Sequence, residues 1–257
     1  MLIFDFDGIL LNSVRENAVT AFNCVTGELT TSLAELPGNT AELFIRNRFH
    51  FQPAGDAPVL MEWCLGNQDR DPSQLLSAKE YRALIDAVHT PVKERTVSFF
   101  EARRRFVEKD KSSWLALNEP YQPLWDDLQA LGPSDVVILT NKNRDAVLEL
   151  AEYFRLAIRP ENVYSGDHGA TKLENLRVLE ERFGRKSHHF VDDSLPNLTE
   201  LDHGWNRGGW DRGGKKLELL LGGWGYLAPD DRAAAAALGI PVVTQSEILT
   251  LFQKERT

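Results

Sequence analysis

Short apolar runs separated by helical patterns recur along the second half of this 257-residue chain. That alternation admits few folds. The first run stands at the start of the sequence, where Leu2, Ile3, Phe4 and Phe6 lead into Asp7-Gly8. A run apolar on both faces suits a central parallel strand covered on each side. Similar runs stand at 135–140 (DVVILT, after the turn residues Gly132-Pro133), 189–191, 217–221 and 240–243, with a weaker one at 162–164. Between them, 124–131, 144–154, 173–183 and 230–238 carry helical spacing. In 144–154, Ala146, Val147, Leu150, Ala151 and Phe154 fall on one face. Strands alternating with helices predict an α/β core built on a doubly wound, Rossmann-like parallel sheet.

Between residues 12 and 120 the alternation stops and no strand pattern is visible. Segments 77–88 and 91–109 read as long helices, opened by a capping Ser77 and a first-turn Pro91. Gly/Pro/Asp-rich stretches at 52–58 and 67–72 read as loops. The expected organisation is a core of residues 1–12 and 116–257, with an all-helical insert at 13–115 leaving from the end of the first strand. Met61, Trp63, Phe99 and Phe100 are expected inside that insert, and Arg103, Arg104 and Arg105 on a solvated helix face.

Composition narrows the function classes. Hydrophobic residues at 42% and charged residues at 26% are those of a folded globular chain. No apolar run approaches the ~20 residues of a membrane-spanning helix. The N-terminal stretch lacks a basic leader and is interrupted by Asp5 and Asp7, so it does not read as a signal peptide. Two cysteines, Cys24 and Cys64, are too few for a disulfide framework or a thiolate metal site. A cytoplasmic protein is expected. The net charge of −9 opposes nonspecific binding to nucleic acid or an anionic membrane. Residues 204–216 (GWNRGGWDRGGKK) repeat Arg-Gly-Gly, yet they read as a connection: a helix leaving the Asp193 rim runs back down the sheet, so its exit lies far from any site there.

In an open α/β sheet, ligands bind at the carboxyl ends of the strands. The first strand ends in Asp5-Phe6-Asp7-Gly8, with Asp5 and Asp7 on the same side by strand alternation. Another ends in Thr140-Asn141, and a third in Asp192-Asp193. Four carboxylates on one rim repel and take up protons. A hard divalent cation such as Mg²⁺, bound by oxygen, relieves this. A carboxylate beside Mg²⁺ can attack phosphorus, and a second acid two residues on can move the protons. A hydroxyl and a lysine can hold the equatorial phosphoryl oxygens.

These residues resemble, in order, the four motifs of the haloacid-dehalogenase-like (HAD) hydrolase superfamily. Asp5-Phe6-Asp7-Gly8-Ile9-Leu10 is similar to its first motif, and Val137-Ile138-Leu139-Thr140-Asn141 to its second. Thr171-Lys172 resembles the third, and Phe190-Val191-Asp192-Asp193-Ser194 the fourth. The insert sits where that family carries a helical C1 cap. The resemblance implies Asp5 as nucleophile and Asp7 as general acid/base. It implies phosphate binding by Gly8, Thr140, Asn141 and Lys172, and Mg²⁺ held by Asp5, Asp7 (through its carbonyl) and Asp192 or Asp193, with Asn197 in support. Ile9 departs from the family's usual threonine and Asn12 from its frequent second aspartate. Lys172 lacks the usual following proline, which leaves Lys142 as its rival. The implied reaction is Mg²⁺-dependent hydrolysis of a small phosphorylated metabolite through an aspartyl-phosphate, by a monomer or homodimer with no nucleic-acid or membrane partner. A phosphomutase, a 2-haloacid dehalogenase (against which Asp7 argues) and a non-catalytic binding module are the alternatives.

Overall fold

The computed structural model describes residues 1–130, 132, 136–167, 170–184, 188–208 and 217–256. Of the Gly-rich segment, only 204–208 is among them; Leu131, Pro133 and Asp135 also lie outside. The chain divides into two compact units, Ser13–Glu119, and Met1–Asn12 with Pro120–Thr257.

The first unit holds helices α1 (Val14–Thr26), α2 (Thr40–Arg46), α3 (Ala57–Gly66), α4 (Ala78–Ala87) and α5 (Val92–Ala116). Ser77 and Glu80 close a reciprocal capping box on α4. The stretch 52–58, read from the sequence as a loop, instead contains a 3-10 turn (Ala54–Asp56) and the start of α3. Pro58 falls in the first turn of α3, where its missing N–H has no partner to lose. Helix α5 runs on to Ala116 across a break at Asp110 (φ −152, ψ 79). The Asp110 carboxylate there accepts from the Ser113 N–H at 3.0 Å, restarting the helix as an N-cap.

Arg103 corrects the expectation of a solvated arginine face. It lies on the stripe of α5 that buries Phe99, Ala102 and Phe106. Its guanidinium meets both Glu16 oxygens of α1 at 2.8 and 3.0 Å and the Asn17 side chain at 3.0 Å. A bidentate partner is what permits a buried arginine. Arg104, by contrast, is exposed and pairs with Glu101 and Glu108 on its own helix. Met61 and Phe99 are buried in this unit.

The second unit is built on strand β1 (Leu2–Phe4); two-residue strands β2 (Leu11–Asn12) and β3 (Glu119–Pro120) bracket the helical segment in sequence. After α6 (Leu124–Gln129) the chain alternates β4 (Ile138–Leu139), α7 (Arg144–Tyr153), β5 (Val163–Tyr164), α8 (Lys172–Phe183), β6 (His188–Asp192), α9 (Leu195–Leu201), β7 (Leu217–Gly222), α10 (Asp231–Leu238), β8 (Val242–Val243) and α11 (Gln245–Arg256). Six strands form one sheet in the order β5-β4-β1-β6-β7-β8, every pairing parallel. Counting only these strands, that is the doubly wound order 3-2-1-4-5-6. Ile3, Leu139, Phe190, Leu219 and Leu221 join Leu176 and Leu179 of α8, Leu198 of α9 and Ala235 of α10 in one buried cluster. Leu2 and Phe4, also buried, face the other side by alternation. No helix among the described residues is long and apolar enough to cross a membrane.

This topology fixes the site. The strand order reverses at β1, so its carboxyl end and those of β4 and β6 flank the switch point where such sheets bind ligands. The register Phe4↔Val191, continued by the Asp5 N–H to the Val191 carbonyl at 2.9 Å, sets Asp5 level with the end of β6. His188 and His189 enter β6 at the opposite end, beside Leu217 and Leu2.

Candidate active site

Asp5, Asp192 and Asp193 are all buried, and each offers a carboxylate oxygen within 4.8 Å of the others. Lys172 sits among them. It is the first residue of α8, set by a capping box between Thr171 and Glu174. Its Nζ lies 2.5 Å from Asp192 Oδ2 and 3.2 Å from Asp5 Oδ2. Burial by itself lowers its pKa, but the Asp192 and Asp5 carboxylates together outweigh burial and hold the lysine above its ordinary value. Asp192 is further held by the Ser194 N–H (2.9 Å, to Oδ1) and the Asn197 side-chain amide (3.2 Å, to Oδ2).

Asp5 is pushed up to a pKa of about 7. Burial is the main cause, Asp192 and Asp7 add to it, and Lys172 and the Thr140 hydroxyl work against it. Its Oδ1 is buried and has no hydrogen-bond partner among the described residues. A buried carboxylate oxygen without a donor is costly, and a ligand arriving from the strand ends satisfies it.

The other expected residues lie around this centre. Thr140 is buried, its hydroxyl accepting from the Lys142 N–H at 3.2 Å. Asn141 is exposed beside it. Gly8 has φ +85, and a Cβ there would collide with the Asp193 carboxylate, so only glycine lets the turn close against that acid. Asp7 is not part of the three-acid group. Its carboxylate faces Lys142, whose Nζ lies 3.1 and 3.2 Å from the two oxygens. Both lysines that the sequence offered for one role are therefore in the site, on different aspartates.

Sequence reasoning missed the loop after β7. The Tyr226 N–H donates to Asp193 Oδ2 at 2.6 Å, and the Tyr226 hydroxyl lies 2.9 Å from Asn12 Oδ1. The Trp224 indole N–H donates to the Ile9 carbonyl at 3.0 Å. The loop thus fastens Asp193 and the turn after β1 together, and Asn12 and Ile9, two of the departures from the motif pattern, are among its contacts. The available signal was the Gly-flanked aromatic string GGWGYL directly after an apolar run. Gly225 makes the approach possible, because a Cβ there would overlap the Asp193 side chain and the Gly8 carbonyl. Gly225→Ala is expected to cost about 1–3 kcal/mol through overpacking, seen as a lower midpoint in chemical denaturation.

The sequence matches no family model and no curated protein. Solved structures do match across nearly the whole chain. A predicted phosphatase from Clostridium acetobutylicum superposes with a TM-score of 0.55 at 15% identity, covering 98% of this chain and 96% of its own. A predicted phosphoglycolate phosphatase from Haemophilus somnus gives 0.56 at 14%, again with 98% and 96% covered. The chain has the fold of these proteins. The Mycobacterium tuberculosis protein tyrosine kinase A also matches, at 0.50 and 15% identity over 89% of this chain and 86% of that one. One fold carries differently named activities, so function has to be argued from the site.

Proposed function

We propose that this chain is a phosphatase of the haloacid-dehalogenase-like type that hydrolyses small phosphomonoesters with Mg²⁺ through an aspartyl-phosphate. The observation that carries the reading is Asp5: a buried carboxylate with an unpartnered oxygen, at the switch point, ringed by Lys172, Thr140 and two further acids. The named phosphatases that share the fold support it.

The donor set fits Mg²⁺, a hard cation that takes oxygen ligands and a few carboxylates. Both Asp192 oxygens already receive hydrogen bonds, one of them from Lys172. The lysine ammonium makes its shortest contact to Asp192 (2.5 Å, against 3.2 Å to Asp5), so we assign Asp5 and Asp193, with the Asp7 carbonyl, to the ion and Asp192 to the lysine. Bound there, Mg²⁺ supplies positive charge that lets an anionic phosphoryl group approach an anionic nucleophile.

The residues then divide the chemistry. An Asp5 oxygen bonds to phosphorus as the bond to the leaving oxygen breaks, and Asp7 gives that oxygen its proton. Water next attacks phosphorus, its proton passes to Asp7, and the Asp5–phosphorus bond breaks with the electron pair returning to Asp5. Lys172 and Thr140, with the amide of Asn141, hold the phosphoryl oxygens where charge gathers. Gly8 keeps the turn after β1 close to them.

The test pairs turnover with stability. The purified chain, given p-nitrophenyl phosphate and a panel of small phosphometabolites, is expected to release phosphate with millimolar Mg²⁺ and not in chelator. Because the ion binds only the folded chain, Mg²⁺ is also expected to raise Tm with concentration, and Asp193→Ala to remove most of that rise. Phosphate release that ignores chelator, or a Tm that ignores Mg²⁺, would sink the metal assignment. No release from any substrate would sink the phosphatase reading.

A further inference from the structure

Lys142 has no part in the reaction as just described, yet it is one of the most enclosed charges in the core. Its side chain is 1% exposed and Asp7, which it faces, 18%. Nζ stands at nearly equal distances, 3.1 and 3.2 Å, from both Asp7 oxygens. The backbone N–H of the same residue donates to Thr140 Oγ1 at 3.2 Å. One residue thus ties the phosphate-binding hydroxyl to the acid/base carboxylate.

We infer that Lys142 is a positioning residue for the second half of the proposed reaction, holding Asp7 in the orientation from which it accepts the proton of the attacking water. The inference rests on the phosphatase reading. The geometry argues for it in three ways. Asp7 lies beyond the end of β1, bridged through its backbone to Leu11 just ahead of the turn at 8–10, and that backbone pairing leaves several staggered side-chain rotamers open to its carboxylate. Asp5, two residues before it, repels it as a like charge. An ammonium spanning both its oxygens opposes that repulsion and selects one rotamer, and burial of the ammonium keeps the pair together, since a buried lysine without a partner is costly. Lys172 cannot supply this hold, being engaged with Asp5 and Asp192.

In the step concerned, water oxygen bonds to phosphorus and the bond from phosphorus to the Asp5 oxygen breaks. The electron pair returns to Asp5, the water proton goes to Asp7, and inorganic phosphate leaves. A misdirected Asp7 slows this step. It does not slow the first step on p-nitrophenyl phosphate, because p-nitrophenolate departs without a proton.

Stopped-flow measurement of p-nitrophenolate release by the full chain in Mg²⁺ separates the two steps. Lys142→Met is expected to show a burst approaching one equivalent per site, absent from wild type, then a steady rate lowered about 10- to 100-fold, within the range for general acid/base catalysis. Rapid-quench mass spectrometry should find phosphorylated Asp5 accumulating in the variant. Lys142→Arg, whose guanidinium also spans a carboxylate, is expected to recover most of the steady rate. Lys142→Gln, which keeps an N–H donor, should give the same burst with a smaller drop, and it carries the test if the Met variant does not fold. An active wild type whose Lys142 variants lose rate without a burst, or lose none, overturns this inference alone. A wild type without turnover overturns the phosphatase reading and this inference with it.

Discussion

Asp5→Asn is expected to leave no measurable turnover and, at about pH 8, to make the metal-free protein more stable than wild type by a few kcal/mol. The first effect follows from asking Asp5 to form a covalent bond, which an amide oxygen cannot do usefully. The second follows from its surroundings. Burial, with Asp192 and Asp7 nearby, pushes the Asp5 carboxyl from its ordinary 3.8 up to about 7. Between those values the folded chain holds a proton that the unfolded chain has released. Stability contributed by this group therefore falls as pH rises through that window and levels off above it. Each unit of displacement is worth about 1.4 kcal/mol, so the ionised Asp5 carboxylate, the proposed nucleophile, is a local liability in the fold. Asparagine has the same shape and no charge to bury. Urea denaturation of both proteins in chelator should give nearly equal stabilities at about pH 4 and a gap favouring the variant at about pH 8. Mg²⁺ should close the gap by stabilising wild type more than the variant. Equal stabilities at both pH values would show that Asp5 is not under this strain.

How much of this was legible in the sequence depends on the distance over which each feature is encoded. The parallel sheet was readable because Leu2–Phe4 and residues 219–222 carry their burial in consecutive residues. The Asp5, Thr140 and Asp192 positions were readable because they directly follow apolar strand runs. Helices α1 and α2 gave no clear pattern. Helix α1 buries Glu16, Asn17, Thr20 and Asn23 alongside its apolar residues, which blurs the periodicity that marks a helix. Arg103 looked solvated because its partner Glu16 lies 87 residues away in the chain. The lysines looked like rivals for the same reason. Lys142 lies 135 residues from Asp7 and Lys172 only 20 from Asp192, and neither spacing tells which carboxylate an ammonium will reach. The Tyr226 loop needs β7 to sit beside β6 before it can touch Asp193, and that is a property of strand order.

Lys172→Met should produce the largest loss of stability of any single change in the site, about 3–5 kcal/mol at about pH 8, the usual cost of breaking a buried pair from one side. Methionine keeps an apolar stem against the Phe190 ring, over which the ammonium now lies at 5.2 Å, so packing is largely retained and the loss reports charge. Without the ammonium, Asp5 and Asp192 face each other unneutralised in a buried site. The lysine pKa is raised in the fold, so its stabilisation is fully present across the neutral range and is lost only as pH rises through that raised value. The pH dependence of the variant near neutrality must then come from the carboxylates it abandons. Toward pH 5, Asp5 takes up a proton, one of the two opposed charges disappears, and the cost should shrink. Asp5→Asn removes that charge by mutation, so the double variant Asp5→Asn/Lys172→Met should lose less than the two single changes predict. A coupling beyond about 0.5 kcal/mol marks contacting residues. Turnover should fall by about 10²–10³, as for loss of one donor to a charge-accumulating oxygen. Strictly additive stabilities would mean that Lys172 serves Asp192 alone, and its position 3.2 Å from Asp5 Oδ2 would then carry no energy.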